Sequence, residues 1–390
     1  MCANCELCRR DSLDLVYEVE ASKRGLKVYA CSHCGLVQSL PRIDRAPRAP
    51  AAVSGGADWG NIRYGKAFRT EAVLALLVRH ADLSAKLSVL DVGSNRGSFV
   101  HTLLDAAPQA GIVAVEPDER VADACAGLDR VELVTARIED VPLETGRFDV
   151  VHSCHTLEHV AEPARVLADH WRVLKPGGLL ILDVPNIAIL DADDIVEEWF
   201  IDKHLYHFSA RTLMRLIEAT GFELIATPDI ADRENLLLVA RKAYTAHRAV
   251  DPDPREAAAA LQRIARYAAT RARNLAALTF VAAEITAMKP QKVAIWGAGR
   301  IFDSLMSHGR LAPGALALLV DTHLKAHVAE RHGCPLAGPE DLRAARPDVI
   351  VVMSRGFADE IGREARRLAP GAQVLLYTDL LTRARQKKAA

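Results

Sequence analysis

From residue 87 to 241, short β-branched runs alternate with helical stretches. LSVLDV, GIVAVE, VELVTA, FDVVHS and LLILDV predict successive strands, and FELIATP with ENLLLVARK predicts a closing pair. Residues 66–82, KAFRTEAVLALLVRHAD, carry helical spacing. Strands alternating with helices predict an α/β fold whose parallel sheet is covered on both faces. From 291 the alternation restarts with KVAIWGAG, RIFDSLMSHG, ALALLVD, PEDLRAA, DVIVVM, FADEIGREARRLA and QVLLY. This second series predicts a smaller Rossmann-like domain. Between the two, Leu261, Ile264, Ala268, Leu275, Leu278, Ala282 and Ile285 keep 3–4 spacing, with Arg271 interrupting the seam. One long helix is expected, or two broken near 268–273. Its expected use is packing against the chain's own domains. A dimer-forming coiled coil is the alternative, so the expected state is a monomer or a homodimer.

Composition narrows the class. Of 390 residues, 50% are apolar and only 5% aromatic, so the cores are built from aliphatic side chains. Lys plus Arg number 49 against 50 Asp plus Glu, a net charge of −1. That balance weighs against a nucleic-acid binder working through a broad positive field. No apolar run reaches the ~18–20 residues of a membrane span. The opening MCANCELCRR lacks the apolar core of an export signal, which predicts a cytoplasmic protein.

The cysteines are unevenly placed: of eight, five fall within the first 34 residues. Cys5 and Cys8 form one Cys-x-x-Cys, and Cys31 and Cys34 form another. The two-residue gap lets both sulfurs of a pair face one tetrahedral ion, so the four predict a structural zinc site. Cys2 and His33 are lesser candidates. Gly35 stands where a knuckle turn needs positive φ. LDLVYEV and LKVYA between the pairs read as a hairpin. So short a segment buries little core, and a metal would supply the missing folding energy. Residues 41–58, rich in Pro, Ala and Gly, read as a linker.

LDVGSNRGSF ends the first strand and opens a helix, with Asp91, Gly93 and Gly97 in the pattern D-x-G-x-x-x-G. Such a turn lets a cofactor approach the backbone, and the helix offers unpaired N–H groups. Asn95 replaces the middle glycine of a dinucleotide fingerprint, and Asp91 would repel phosphate. The pair suits a cationic, amino-bearing ligand such as S-adenosylmethionine (SAM). Glu116 ends the second strand, 23 residues after Gly93, where it can accept ribose hydroxyls. Glu139 and Asp140 follow the third strand, where a carboxylate can accept an adenine amino group. Ser94, Pro117 and Ser153 complete the expected cofactor set.

These motifs, with FDVVHSCHTLEHV and VLKPGGLLILDVPN, resemble the class I SAM-dependent methyltransferases. The order of a cysteine segment ending CGLVQ, that core, and a Rossmann-like end resembles the sugar C-methyltransferases acting on nucleotide-linked deoxysugars. The resemblance implies a zinc-ribbon module at 1–45 and a linker at 46–65. It implies a methyltransferase core at 66–245, a helical linker at 246–289 and a C-terminal Rossmann-like domain at 290–390. It also points to FIDKHLYHFS, in which His204 matches the family histidine. Lys203 replaces the family glutamate and Ile201 its tyrosine. His159, in LEHV, matches a further family histidine.

Methyl transfer from a sulfonium is an in-line displacement, and the acceptor needs a base. Histidine suits the task because its ordinary pKa lies near ~6.5. His204 is the first candidate on this reading, with His155 and His159 after the fourth strand. His207 or Lys203 would hold a developing oxyanion. The expected substrate is a nucleotide-linked sugar or related glycan, methylated on carbon or oxygen. The first competing reading is an RNA base methyltransferase that grips its substrate with the ribbon. The loop SCHTLEH lacks the Asn/Asp-Pro-Pro-aromatic run that holds a planar amino nitrogen. The second is an NAD-dependent or non-enzymatic protein built on WGAGRIFDS, where Gly297 and Gly299 are followed by Phe302 rather than a third glycine. Asp321 would meet a ribose or cap a turn. A substrate-nucleotide or structural role is expected of this domain ahead of NAD binding.

Overall fold

The computed structural model describes residues 4–20, 22–42, 67–119, 123–243 and 249–389. The linker expected at 46–65 and the lesser ligand Cys2 lie outside them. The chain divides into two compact units. The first holds the described residues through Leu190 and then Phe200–Ala265; the second holds Asp191–Trp199 and Arg266–Ala390.

The first unit is centred on a seven-stranded sheet. Helix α1 (Ala67–His80) leads into β4 (Ser88–Val92), after three N-terminal strands, β1 (Leu13–Glu18), β2 (Lys27–Cys31) and β3 (Val37–Leu40). Then come α2 (Ser98–Ala106), β5 (Gly111–Val115), β6 (Val131–Val134), β7 (Phe148–Cys154), α3 (Pro163–Val173) and β8 (Leu174–Pro185). A two-residue strand β9 (Tyr206–His207), α4 (Ala210–Ala219), β10 (Phe222–Ala226) and β11 (Asn235–Lys242) close the series. The strand order is β10-β11-β8-β7-β4-β5-β6. Strands β6 through β8 pair in parallel, whereas β11 runs antiparallel to both β8 and β10. The central strands are buried on both faces, which is why they read as continuous aliphatic runs. From β4 the chain proceeds to β5 on one side, and β7 adds on the other. The crevice beyond the ends of β4 and β7 is therefore the topological switch point, where open α/β sheets take ligands. Local sequence sets the helix starts: Pro163 opens α3, and Ser209 with Thr212 forms a reciprocal capping box for α4.

The N-terminal strands do not stand alone. They form an antiparallel sheet whose fourth strand is β9, in the order β1-β2-β3-β9. Val37 pairs with His207 and Gln38 with Tyr206. The cysteine-bearing hairpin is thus knitted to the stretch that carries His204.

Helix α5 (Pro254–Ala287) is continuous, and the chain passes from one unit to the next within it. In the first unit, Gly35 packs so tightly on this helix that a Cβ would lie 2.6 Å from Glu256. In the second unit, Arg271 does not break the helix. It is buried and faces Glu198 at 3.6 Å, while Asn274 Nδ2 donates to the carbonyls of Asp193 and Ile195, each at 2.8 Å. The polar positions in the seam are therefore partners for Asp191–Trp199.

The second unit continues with β12 (Val293–Trp296), α6 (Arg300–Ser307), β13 (Leu318–Val320), β14 (Glu330–Arg331) and β15 (Cys334–Ala337). It ends with α7 (Asp341–Ala345), β16 (Val349–Val352), α8 (Ala358–Leu368), β17 (Gln373–Leu376) and α9 (Tyr377–Ala389). Its sheet runs β14-β15-β13-β12-β16-β17 and is parallel apart from β14. Of the two roles open to Asp321, the structure shows the cap. One oxygen accepts from Ala298 N, and the other from His323 N and Leu324 N. No helix among the described residues is long and apolar enough to cross a membrane.

Candidate active site

The glycine turn after β4 is built by backbone demands. Gly93, Asn95 and Gly97 all have positive φ, at 71°, 49° and 71°. At Gly97 a Cβ would also lie 2.6 Å from Cys125 Sγ, so only glycine fits. Glu116, buried at the end of β5, clamps this turn: Oε2 accepts from Asn95 N at 2.8 Å and Oε1 from Asp118 N at 2.9 Å. An ionised carboxylate accepts about four hydrogen bonds.

Asp91 sits beside His152 in the sheet register, and its Oδ1 accepts from His152 Nδ1 at 2.7 Å. Both are buried, and Asp91 Oδ2 has no hydrogen-bond partner among the described residues. A buried acceptor without a partner is costly unless a ligand supplies the donor. Asp91, Gly93, Ser94, Phe99 and His152 line one cleft with Arg69 and Thr70 of α1. Arg69 makes a bidentate pair with Asp183 of β8, at 2.6 and 3.2 Å, and reaches Asp232 at 3.1 Å. Burial pushes the Asp183 carboxyl up, and Arg69 opposes that shift.

Beyond β7, three imidazoles gather near one carboxylate. His155 has φ 46°, and its Nε2 meets Asn235 Oδ1 at 3.1 Å. With that oxygen as acceptor, Nε2 carries the hydrogen and Nδ1 is left basic. Buried Glu158 Oε1 lies 3.8 Å from His155 Nδ1 and 3.6 Å from His159 Nε2. The His159 and His204 rings meet edge-on, 4.8 Å between centroids.

Residues 65–227 match the family model described as "Methyltransferase domain". A probable SAM-dependent methyltransferase of Mycolicibacterium smegmatis is 29% identical over 148 residues, 37% of this chain and 56% of the relative. A tRNA U34 carboxymethyltransferase of Desulfotalea psychrophila is 27% identical over 189 residues, 46% of this chain and 56% of the relative. The chain thus spans about half the length of these curated relatives. A solved structure of a putative SAM-dependent methyltransferase from Listeria monocytogenes is 19% identical, with a TM-score of 0.37, over 45% of this chain and 98% of that one. Residues 65–227 of the chain form a methyltransferase domain.

Within this methyltransferase domain, Asp91, Gly93, Ser94, Asn95, Gly97 and Glu116 stand together at the glycine turn, and Ser153 lies in β7 beside Val92. Pro117 and Asp140 are exposed, and Glu139 accepts weakly from Ala161 N at 3.4 Å. His155, His159 and His204 share the surroundings of Glu158. His207 does not join them. It is buried, its Nε2 meets Ser39 Oγ at 2.8 Å, and burial pushes its pKa down to about 3. A neutral ring engaged at the β3–β9 junction is poorly placed to hold an oxyanion, so the site set loses this member. Lys203 contributes its carbonyl, which accepts from His159 Nδ1 at 2.9 Å. Sequence reasoning missed His152, Glu158, Arg69 and Asp183. Only the alternation of HSCHTLEH hinted at the first two.

The cysteine set is equally compact. Cys5 Sγ lies 3.5 Å from Cys34 Sγ, and Cys8 Sγ lies 3.6 Å from Cys31 Sγ. All four sulfurs fall within 4.8 Å of one another, with no disulfide among them. Four thiolates at ~2.3 Å from a tetrahedral ion would stand about 3.8 Å apart, so the donor set fits zinc. Both knuckles have the required turn: Gly35 N donates to Cys31 O with φ 80°, and Arg9 N to Cys5 O with φ 62°.

Proposed function

We propose that this chain methylates a nucleotide-activated sugar or related glycan, on carbon or oxygen, with a histidine as general base. The observation that carries the reading is the convergence of His155, His159 and His204 on Glu158, just past the strand end adjoining the glycine turn. Bound SAM supplies the activated methyl group. Asp91 Oδ2 accepts from the cofactor's amino group, and Glu116 accepts from its ribose. His155 takes the acceptor's proton at Nδ1, because its Nε2 hydrogen is committed to Asn235. The sequence put His204 first; the fixed tautomer favours His155. The sugar class rests on the order of cysteine segment, core and Rossmann-like end. We further propose that Cys5, Cys8, Cys31 and Cys34 hold a structural zinc, which has no open position for chemistry.

A second reading, methylation of tRNA, draws on the likeness to the tRNA U34 carboxymethyltransferase of Desulfotalea psychrophila. The net charge of −1 weighs against it. Labelled SAM incubated with a panel of nucleotide sugars, including a 4-keto deoxysugar, and with bulk tRNA separates the two. Label entering a sugar supports the first reading, and label entering only tRNA overturns it. With the accepted sugar, His155→Ala should lower turnover while S-adenosylhomocysteine affinity stays near normal.

A further inference from the structure

The structure assigns Arg69 as the residue that recognises the α-carboxylate at the methionine end of the cofactor. The inference rests on the SAM reading of the cleft that Asp91 lines. That end of SAM is a zwitterion, with an ammonium and a carboxylate on one carbon. A cleft that reads it must therefore offer acceptors and a cation close together. Asp91 and His152 supply the acceptors. Asp91 Oδ2 and His152 Nε2 are both buried with no hydrogen-bond partner among the described residues, and both side chains line the cleft. His152 Nδ1 donates to Asp91, so in the neutral ring Nε2 carries only a lone pair. An ammonium brings three N–H groups to such a pair.

The carboxylate has one cation to meet. Arg69 is the only Lys or Arg that lines this cleft. A guanidinium carries five N–H donors. Nε and Nη2 of Arg69 donate to the two oxygens of Asp183, and Nη1 donates to Asp232. One N–H on each terminal nitrogen is left for a further acceptor. The two protein carboxylates hold the guanidinium in place. Asp183 is fully buried on β8 and stands in register with Cys154 of β7, which lines the same cleft. With Asp91, Asp183 and Asp232 around it, the cleft is otherwise acidic. That suits the sulfonium and the ammonium, and leaves Arg69 as the place for the carboxylate.

The test compares two ligands that differ by this one group. Calorimetry on the full chain measures affinity for SAM and for decarboxylated SAM, which keeps the adenosine, the sulfonium and the amino group. The wild type should prefer SAM by roughly 10- to 100-fold, the ratio for a hydrogen bond between charged groups. Arg69→Gln should abolish that preference by weakening SAM alone, and Arg69→Lys should recover part of it. Arg69→Gln strands the buried Asp183, so the double variant Arg69→Gln/Asp183→Asn is measured beside it. Equal affinities in the wild type overturn the assignment whether or not a variant folds. Variants that weaken both ligands alike also overturn it, because a residue that only props the cleft does not tell them apart. A wild type that binds neither ligand counts against the SAM reading of the cleft, and the assignment falls with it.

Discussion

Asp91 Oδ1 and His152 Nδ1 meet at 2.7 Å across adjacent parallel strands, both buried, and the other Asp91 oxygen has no hydrogen-bond partner among the described residues. The histidine fixes the carboxylate so that its open oxygen is aimed before any ligand arrives. Asp91→Asn keeps the shape and removes the charge. It should weaken S-adenosylhomocysteine binding by about 1–3 kcal/mol, the range for losing a hydrogen bond to a charged group. Calorimetry reads this directly, and an unchanged affinity would remove Asp91 from the cofactor site.

Two buried histidines set the acid limit of the first unit. Burial pushes His207 down to about 3 and His170 down to about 4. An unfolded histidine takes its proton near ~6.5, so below that pH the unfolded chain binds more protons than the native one. Stability present above ~6.5 is therefore lost as pH falls toward the folded values. At pH 5 the loss is roughly 2 kcal/mol for each ring. Urea midpoints between pH 7.5 and 5 should show it, and His207→Gln should flatten the slope. An equally steep slope in that variant would contradict the assignment.

The zinc proposal reaches further than the hairpin, because β3 pairs with β9. Cys31→Ser should abolish bound zinc and lower the melting temperature. Amide exchange should rise in residues 205–207 as well as 27–40. If exchange rises only in the hairpin, the β3–β9 pairing does not transmit the loss.

The central strands were legible because they are β-branched runs buried on both faces, and the glycine turn because its backbone admits few other residues. The cysteine pairs declared themselves by spacing. Other features depend on register or long-range partners, which a linear pattern does not encode. Strand β9 is two residues long and exists because β3 offers it an edge. His152 acquires meaning only when the register sets it against Asp91. Arg271 looked like a flaw in a helix seam until Glu198 appeared opposite it. Asp191–Trp199 lies within the stretch 66–245 expected to form the core, yet it folds with the second unit.

Arg355 pairs with two carboxylates of that segment. Arg355 Nε lies 3.0 Å from Asp194 Oδ2 and Nη1 lies 2.6 Å from Glu197 Oε1, while Tyr377 Oη donates to Asp194 Oδ2 at 2.7 Å. Burial works to raise the Glu197 carboxyl, but Arg355 beside it outweighs burial and holds the pKa below the ordinary range. The pair therefore stabilises above the unfolded carboxylate pKa of ~4.3 and loses that contribution as pH falls through the lower folded value. Arg355→Met keeps much of the volume and strands two carboxylates. It should cost about 3–5 kcal/mol at pH 7, the range for breaking a buried pair from one side. The gap to wild type should narrow toward pH 4, where the stranded carboxyls protonate. Urea unfolding at the two pH values checks both the size and the sign. A deficit that stayed constant with pH would mean that Arg355 acts through packing rather than charge.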